Sequence, residues 1–259
     1  MSKKPKIAIV SLTSCNGCQV EVVNLGRKFL DILEFVEIGD FPLIEEKKEK
    51  FPYDVAFVEG NPVTRENEKY LKFIRDKSKI LVALGACACL GSVQEIKNYR
   101  NKSAILPYVY KRPLGIDNLE IRPLKHYVKV DFELPGCPPS KEEIFEFISD
   151  YLRGKIFKIS QRPVCYECQL REVDCLLQKG KLCLGPIILG GCKAVCPASG
   201  IQCYGCRGLL EEPDLEDAMK VFKKVATKKE IEESLEIFGL RDDLEKKLKE
   251  MIEKRKKRL

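Results

Sequence analysis

Short apolar runs alternate with amphipathic segments along the first part of the chain. Five runs are apolar enough for buried parallel strands, namely residues 6–12, 35–40, 53–60, 79–85 and 126–137. The segments between and after them carry apolar residues at helical spacing or are charged helical stretches, notably residues 18–33, 66–77 and 140–154. Strands that alternate with helices in this way predict an α/β fold with a doubly wound, flavodoxin-like parallel sheet.

Helix-capping signals mark the later part of the chain. Ser140 and Glu143 have the spacing of a capping box, and Gly154 is placed to end the helix that they begin. A second box, Thr227 with Glu230, opens a charged segment of helical character. We therefore expect a helical tail at the end of the chain.

The stretch between the helix that begins at Ser140 and the segment that begins at Thr227 has a different character. From Gln161 to about Leu210, cysteine, glycine and proline crowd together with little apolar periodicity. Metal ligation rather than apolar burial must organise such a segment. The pattern predicts a flavodoxin-like domain over residues 1–160, an irregular cysteine-rich domain over 161–212 and a helical tail over 213–259.

Cysteine is the unusual residue in the composition. The 259 residues include 13 cysteines and a single histidine. No stretch approaches the roughly 18–20 consecutive apolar residues that cross a bilayer, and the start of the chain shows no export signal. We therefore expect a cytoplasmic, unprocessed protein with reduced thiols, in which cysteines bind metal rather than form disulfides.

The interleaved charges and the absence of phosphate-binding motifs argue against two other classes of function. The 46 basic and 39 acidic residues are interleaved, and the net charge of +7 forms no basic stripe for a nucleic acid. Neither GxGxxG nor GxxxxGK[ST] occurs, so the sequence gives no sign of a nucleotide site in this chain.

Four cysteines fall just past the carboxyl ends of predicted strands. Cys15 and Cys18 follow the first apolar run, Cys87 the fourth and Cys137 the fifth. Because the ends of parallel strands share one edge of a sheet, these residues can meet around one ion or cluster. Cys89 lies in the same loop as Cys87, and spacing alone allows either thiol to be the ligand.

Eight further cysteines crowd the irregular segment: Cys165, Cys168, Cys175, Cys183, Cys192, Cys196, Cys203 and Cys206. Eight thiols suit two four-cysteine sites, and the CxxC pairs at each end would also suit zinc ribbons. The scarcity of histidine favours iron–sulfur clusters, which are usually held by four thiolates each. The spacing leaves the pairing of thiols between the two sites open.

The ordered set of motifs resembles one known family. SCNGC, VEG, GACAxxG and PGCPP, followed by CLGP, GCKAVCP and CYGCRG, resemble the small, electron-transferring subunit of [NiFe] hydrogenases. The similarity is greatest to the short form without an export signal, as in archaeal sulfhydrogenase delta subunits and methanogen hydrogenase gamma subunits. The resemblance implies that this chain belongs to a hydrogenase complex but does not itself carry the centre that splits H2, so no catalytic residue is expected in it.

The resemblance also implies three [4Fe-4S] clusters. The proximal one would be held by Cys15, Cys18, Cys87 and Cys137, the medial one by Cys192, Cys196, Cys203 and Cys206, and the distal one by Cys165, Cys168, Cys175 and Cys183. Cys87 occupies the family's ligand position, whereas Cys89 stands where a non-ligand is usual. Cys165 replaces the histidine ligand of periplasmic members and Cys196 replaces a proline, so both of those clusters are expected to be [4Fe-4S].

The implied partners are a large subunit with the nickel–iron centre and a further redox subunit. That second partner would carry flavin, iron–sulfur clusters or both, and would be linked to NADP(H), sulfur, a deazaflavin or a heterodisulfide. Two alternatives stay open at this point. The chain could be a related iron–sulfur electron-transfer subunit without H2 chemistry, or a zinc-stabilised binding module.

Three other residues have two interpretations each. Glu59 ends a predicted strand where the family often has an acidic residue near the proximal cluster, but a solvated carboxylate would look the same. Arg207 adjoins Cys206 and could lie near a cluster, at a subunit interface or in solvent. His126 begins a predicted strand away from the thiol motifs, and we expect it to be structural.

Overall fold

A five-stranded parallel sheet forms the centre of the N-terminal part of the chain. The computed structural model describes residues 3–44, 51–112, 117 and 119–256. The strands are β1 (Lys6–Ser11), β2 (Glu37–Asp40), β3 (Tyr53–Glu59), β4 (Ser78–Leu84) and β5 (Phe132–Leu134). They are bonded in the order β2-β1-β3-β4-β5, and every neighbouring pair is parallel. The expected flavodoxin-like order is therefore confirmed, with its switch point between β1 and β3.

Six helices accompany the sheet in the described residues. They are α1 (Gly17–Val23), α2 (Arg27–Leu33), α3 (Arg65–Asp76), α4 (Gly85–Leu90), α5 (Lys102–Val109) and α6 (Lys141–Leu152). The prediction of one helix over residues 18–33 is wrong at its middle, because the chain turns between α1 and α2. Gly26 has φ +59 there, a left-handed conformation that ends a right-handed helix. The predicted apolar face is nevertheless buried, with Val22 and Phe29 among its members.

One apolar core covers the sheet face on which α2 and α6 pack. Ile7, Ile9 and Val82 lie in it with helix residues such as Phe29. Phe147 of α6 is its centre, since its ring makes edge contacts with three other rings at centroid distances of 5.2–5.6 Å: those of Phe57, Phe132 and Phe157. Such aromatic contacts add stability to the burial of apolar area and hold α6 over the sheet. Ser140 Oγ accepts a bond from Glu143 N, which is the N-cap half of the predicted capping box.

The last strand is much shorter than the sequence suggested. The expected strand over residues 126–137 pairs with β4 only from Phe132 to Leu134, and His126 lies in a 3-10 turn. Asp131 accounts for the late start. Its N–H donates to Leu81 O, and its Oδ2 accepts from Leu81 N and from the guanidinium of Arg75 at 2.6 Å. A side-chain clamp therefore replaces strand pairing at this point and fixes the segment that leads to Cys137.

Replacing Asp131 with asparagine should lower the free energy of unfolding by about 1–3 kcal/mol at pH 7, because it breaks a half-buried ion pair. Burial alone would raise the pKa of Asp131, but the bonds from Leu81 and Arg75 outweigh it and hold the pKa below its ordinary value. The contribution is then present above about pH 4, the unfolded pKa, and is lost as pH falls through the folded pKa. Denaturant unfolding at pH 7 and at lower pH measures it.

The control for this substitution is Asp174→Asn, since Asp174 forms an ion pair with Lys179 at the surface. Exposed pairs contribute little to stability, so this variant should unfold like the parent chain. Equal effects of the two substitutions, or a difference that persists unchanged in acid, would contradict the clamp.

The chain divides into two compact units, residues 1–159 and residues 160–259. The helices of the second unit are α7 (Val164–Leu170), α8 (Val195–Ala198), α9 (Leu215–Val225), α10 (Lys228–Glu236) and α11 (Leu240–Lys256). The predicted capping box of Thr227 and Glu230 is present at the start of α10. Residues 257–259 of the predicted tail lie outside the described residues.

The cysteine-rich segment contains little regular structure beyond α7, α8 and a 3-10 turn at Gly185–Ile187. Isolated bridges, Pro163 with Leu189 and Ile188 with Leu209, hold it together. A side chain at Gly205 would run into Leu240, so the start of α11 packs directly on a cysteine-bearing loop. Across the described residues, no helix is both long and apolar enough to cross a membrane.

Candidate metal centres

Loops that follow β1, β4 and β5 carry the first group of thiols. Cys15 precedes α1 and Cys18 lies in it, Cys87 lies in α4, and Cys137 follows β5. The loops are bonded to each other, since Ala86 N donates to Gly136 O at 2.7 Å. The topology thus brings these four residues to the carboxyl edge of the sheet, where open α/β folds bind ligands.

The charges of neighbouring thiols in this group raise the pKa values of three of its members. Burial raises the pKa of Cys18, and the charges of Glu59 and Cys87 raise it further. Burial, with the charges of Cys137 and Cys15, raises the pKa of Cys87 to about 11. Burial and the charge of Cys15 also raise the pKa of Cys137. Four thiolates here would repel each other, so a bound cationic metal centre is what would stabilise them in the ionised form.

Cys89 lies apart from this group. Its side chain is fully buried, and its Sγ donates to Ala83 O at 3.4 Å. Residues two apart on a helix point to nearly opposite sides, so α4 cannot direct Cys87 and Cys89 to the same place. The geometry therefore favours Cys87 as the ligand.

Glu59 supports the loop that carries Cys18. Its side chain is only 1% exposed, and its carboxylate accepts bonds from Cys18 N at 3.2 Å and Gln19 N at 3.3 Å. These N–H groups belong to the first turn of α1, where they have no partner within the helix. The interpretation of Glu59 as a solvated carboxylate is wrong, because the residue is a buried acceptor at the thiol edge.

Sequence reasoning missed Asn61, which joins two segments of the same edge. It is fully buried, and its side-chain amide donates to Cys87 O at 2.8 Å and to Arg122 O at 3.2 Å. The signal was a polar residue two positions after a buried strand, on the edge where the cysteines lie. Asn61 thereby fixes the backbone of one thiol-bearing residue.

The second unit brings the next quartet together around α7. Burial raises the pKa of Cys165 to about 12, and the charges of Cys183, Cys168 and Cys175 contribute to the rise. Burial, Cys183 and Cys175 likewise raise the pKa of Cys168. A side chain at Gly185 would stand 3.4 Å from Cys165 Sγ and 3.6 Å from Cys183 Sγ. The four residues named for the distal site therefore face one another.

In the last quartet, mutual charge effects connect three of the four thiols. Burial raises the pKa of Cys203, and the charges of Cys183, Cys206 and Cys192 add to the effect, although the N–H of Gly205 opposes it. Cys196 is exposed on α8. The two quartets adjoin, since Cys203 N donates to Cys183 Sγ at 3.3 Å.

These thiols differ in arrangement from a site for one ion. A tetrahedral zinc site places four ligands about 2–2.3 Å from the metal. Among residues 3–44, 51–112, 117 and 119–256, no three Cys, His, Asp or Glu side chains form a group that could hold a single ion.

A flavodoxin-like sheet with a thiol quartet at its ligand edge, followed by an eight-cysteine unit, defines a cysteine-rich α/β protein with candidate metal centres. Residues 15–151 match the family described as "NADH ubiquinone oxidoreductase, 20 Kd subunit", and the chain belongs to this family. The match spans all four thiols of the sheet edge.

Individual relatives identify the branch of that family. The chain is 38% identical to the delta subunit of sulfhydrogenase 2 of Pyrococcus furiosus, over 90% of this chain and 99% of the relative. It is 32% identical to the G chain of the F420-non-reducing hydrogenase vhu of Methanocaldococcus jannaschii, over 80% and 83% of the two chains. A chain of an NAD+-reducing [NiFe]-hydrogenase crystal structure superposes with a TM-score of 0.55 at 29% identity, covering 61% of this chain and 96% of that one. The resemblance to [NiFe] hydrogenase small subunits is confirmed.

Proposed function

We propose that this chain relays electrons between the nickel–iron centre of a hydrogenase large subunit and a further redox subunit. The observation that carries the proposal is the convergence of four thiols from three loops at the sheet edge, in a chain related to hydrogenase subunits. The second partner would carry flavin, iron–sulfur clusters or both, and would exchange electrons with NADP(H), sulfur, a deazaflavin or a heterodisulfide.

We further propose that twelve of the cysteines hold three [4Fe-4S] clusters. The ligands would be Cys15, Cys18, Cys87 and Cys137 for the proximal cluster, Cys192, Cys196, Cys203 and Cys206 for the medial cluster, and Cys165, Cys168, Cys175 and Cys183 for the distal cluster. Bound clusters of this kind accept and release single electrons. The chain's own residues fix the thiols, exclude water and supply N–H groups such as that of Gly205, which stabilises a negative charge on Cys203.

Metal analysis tests this proposal. We expect the anaerobically purified complex with its large subunit to be brown, to contain about 12 iron atoms in this chain and to absorb broadly near 400 nm. Iron and zinc determination, with spectra before and after reduction, measures this. A colourless chain with zinc or no metal would contradict the iron–sulfur assignment.

The family description also fits an alternative to the hydrogenase assignment, namely an iron–sulfur electron-transfer subunit of a complex without H2 chemistry. Purification of the native complex decides between the two. A large subunit with two CxxC motifs for nickel, together with H2-dependent dye reduction, supports the hydrogenase assignment. A partner without those motifs, and no dye reduction under H2, would support the alternative.

A further inference from the structure

Glu167 and Arg207, from different parts of the second unit, both bond the backbone of the loop that carries Cys192. The carboxylate of Glu167, on α7, accepts bonds from Gly191 N at 2.7 Å and Ala194 N at 3.1 Å. In addition, Arg207 Nε donates to Gly190 O at 2.6 Å. Two opposite charges therefore reach the same short loop.

The loop needs this support because its backbone is unusual. Lys193 and Ala194 both have positive φ, +57 and +48, a conformation that is costly for residues with a side chain. Such conformations persist only where the surroundings determine them. The bond from Ala194 N to Glu167 is one such constraint, and it fixes the position of the thiol two residues earlier.

Both charges also lie close to thiols of this quartet. Cys192 Sγ lies 3.7 Å from Glu167 Oε2. Arg207 adjoins Cys206 in the sequence and bonds the carbonyl of Gly190, two residues before Cys192. Arg207 is only 2% exposed, so solvent screens its charge little, and the interpretation of Arg207 as a solvated side chain is wrong.

We propose that Glu167 and Arg207 are positioning residues that set the reduction potential of the medial centre, proposed on Cys192, Cys196, Cys203 and Cys206, in opposite directions. This inference rests on the proposed function, in which these thiols hold an iron–sulfur cluster. Reduction adds one electron to a centre that is already negative, with no bond formed or broken. A nearby positive charge favours that electron and a nearby negative charge opposes it, and net charge is one of the terms that set such potentials.

The test uses the anaerobic complex with its large subunit and titrates it with dithionite as electron donor, followed by electron paramagnetic resonance. The signal of this centre is first assigned as the one that Cys203→Ser removes or alters. We expect Arg207→Gln to shift its midpoint to a more negative potential and Glu167→Gln to shift it to a less negative one. Arg207→Lys keeps the charge and should stay close to the parent protein.

Arg171→Gln is the matched control. Arg171 is exposed and donates to Lys193 O at 2.7 Å, so it contacts the same loop from the solvent side. Because water and salt screen its charge, its removal should leave the midpoint unchanged. A shift as large as that of Arg207→Gln would show that loop contact, and not a buried charge, sets the potential.

Several results would overturn the proposal. They are unchanged midpoints in both charge-removing variants, or midpoint shifts in the same direction in both. Loss of the signal in both variants would also overturn it, because the two residues would then have a purely structural role. If only Arg207→Gln loses the signal, the midpoint potential of Glu167→Gln decides whether the proposal stands. An unchanged midpoint in Glu167→Gln contradicts the proposal. A parent protein without any reducible iron–sulfur signal would instead overturn the proposed function.

Discussion

Replacing Cys87 with serine is expected to remove the proximal cluster and to reduce H2-dependent dye reduction by the complex to background. The Cys87 thiol faces Cys15 and Cys137 at the sheet edge, so its loss leaves three thiols for a centre that is usually held by four. Iron content and the low-temperature spectrum of the reduced complex measure the cluster. Dye reduction under H2 measures the electron path from the large subunit.

Cys89→Ser is the matched control, because it makes the same chemical change two residues away. The serine hydroxyl can still donate to Ala83 O, as the Cys89 thiol does, and the residue lies inside the fold. This variant should keep its iron and its dye reduction. The opposite result, with activity lost in Cys89→Ser and kept in Cys87→Ser, would show that the ligand choice is wrong.

The position of the thiol edge could be predicted from the sequence because it depends on chain order alone. Each apolar run marks a strand, and the carboxyl ends of parallel strands lie on one edge whatever the details of packing. Cys15, Cys87 and Cys137 each follow such a run, so their proximity was implied before any contact was known. The structure places them there through the strand order β2-β1-β3-β4-β5.

Spacing alone left Cys87 and Cys89 open, because the choice depends on how α4 is rotated against the sheet; the family resemblance implied Cys87, and the burial of Cys89 favours the same choice. Spacing cannot show which side of a short helix faces the edge. The same limit applies to buried polar residues. Glu59, Asn61 and Arg207 have ordinary polar side chains in the sequence, and only their burial and partners reveal that they hold thiol-bearing loops.

The sequence also did not predict where some helices and strands begin and end. The periodicity of residues 18–33 is continuous, yet Gly26 turns the chain in the middle of it. Apolar residues near His126 resemble a strand, but a side-chain clamp at Asp131 takes the place of pairing until Phe132. The periodicity of apolar residues indicates which side of a segment is buried, but it does not indicate which hydrogen bonds the segment makes. Local geometry of this kind therefore had to come from the structure.

Replacing Gly85 with alanine should prevent the proximal cluster from assembling and destabilise the chain by more than the cost of its backbone conformation. Gly85 begins α4 with φ +87, and an added Cβ would overlap the Sγ atom of Cys18, a proposed ligand that lies in α1. Gly154→Ala is the control, since Gly154 has φ +67 but no atom within 4 Å of an added Cβ. That variant should cost about 1–2 kcal/mol and keep its iron. Iron content and unfolding of both variants measure the difference, and equal behaviour would show that the close approach to Cys18 does not exclude a side chain at Gly85.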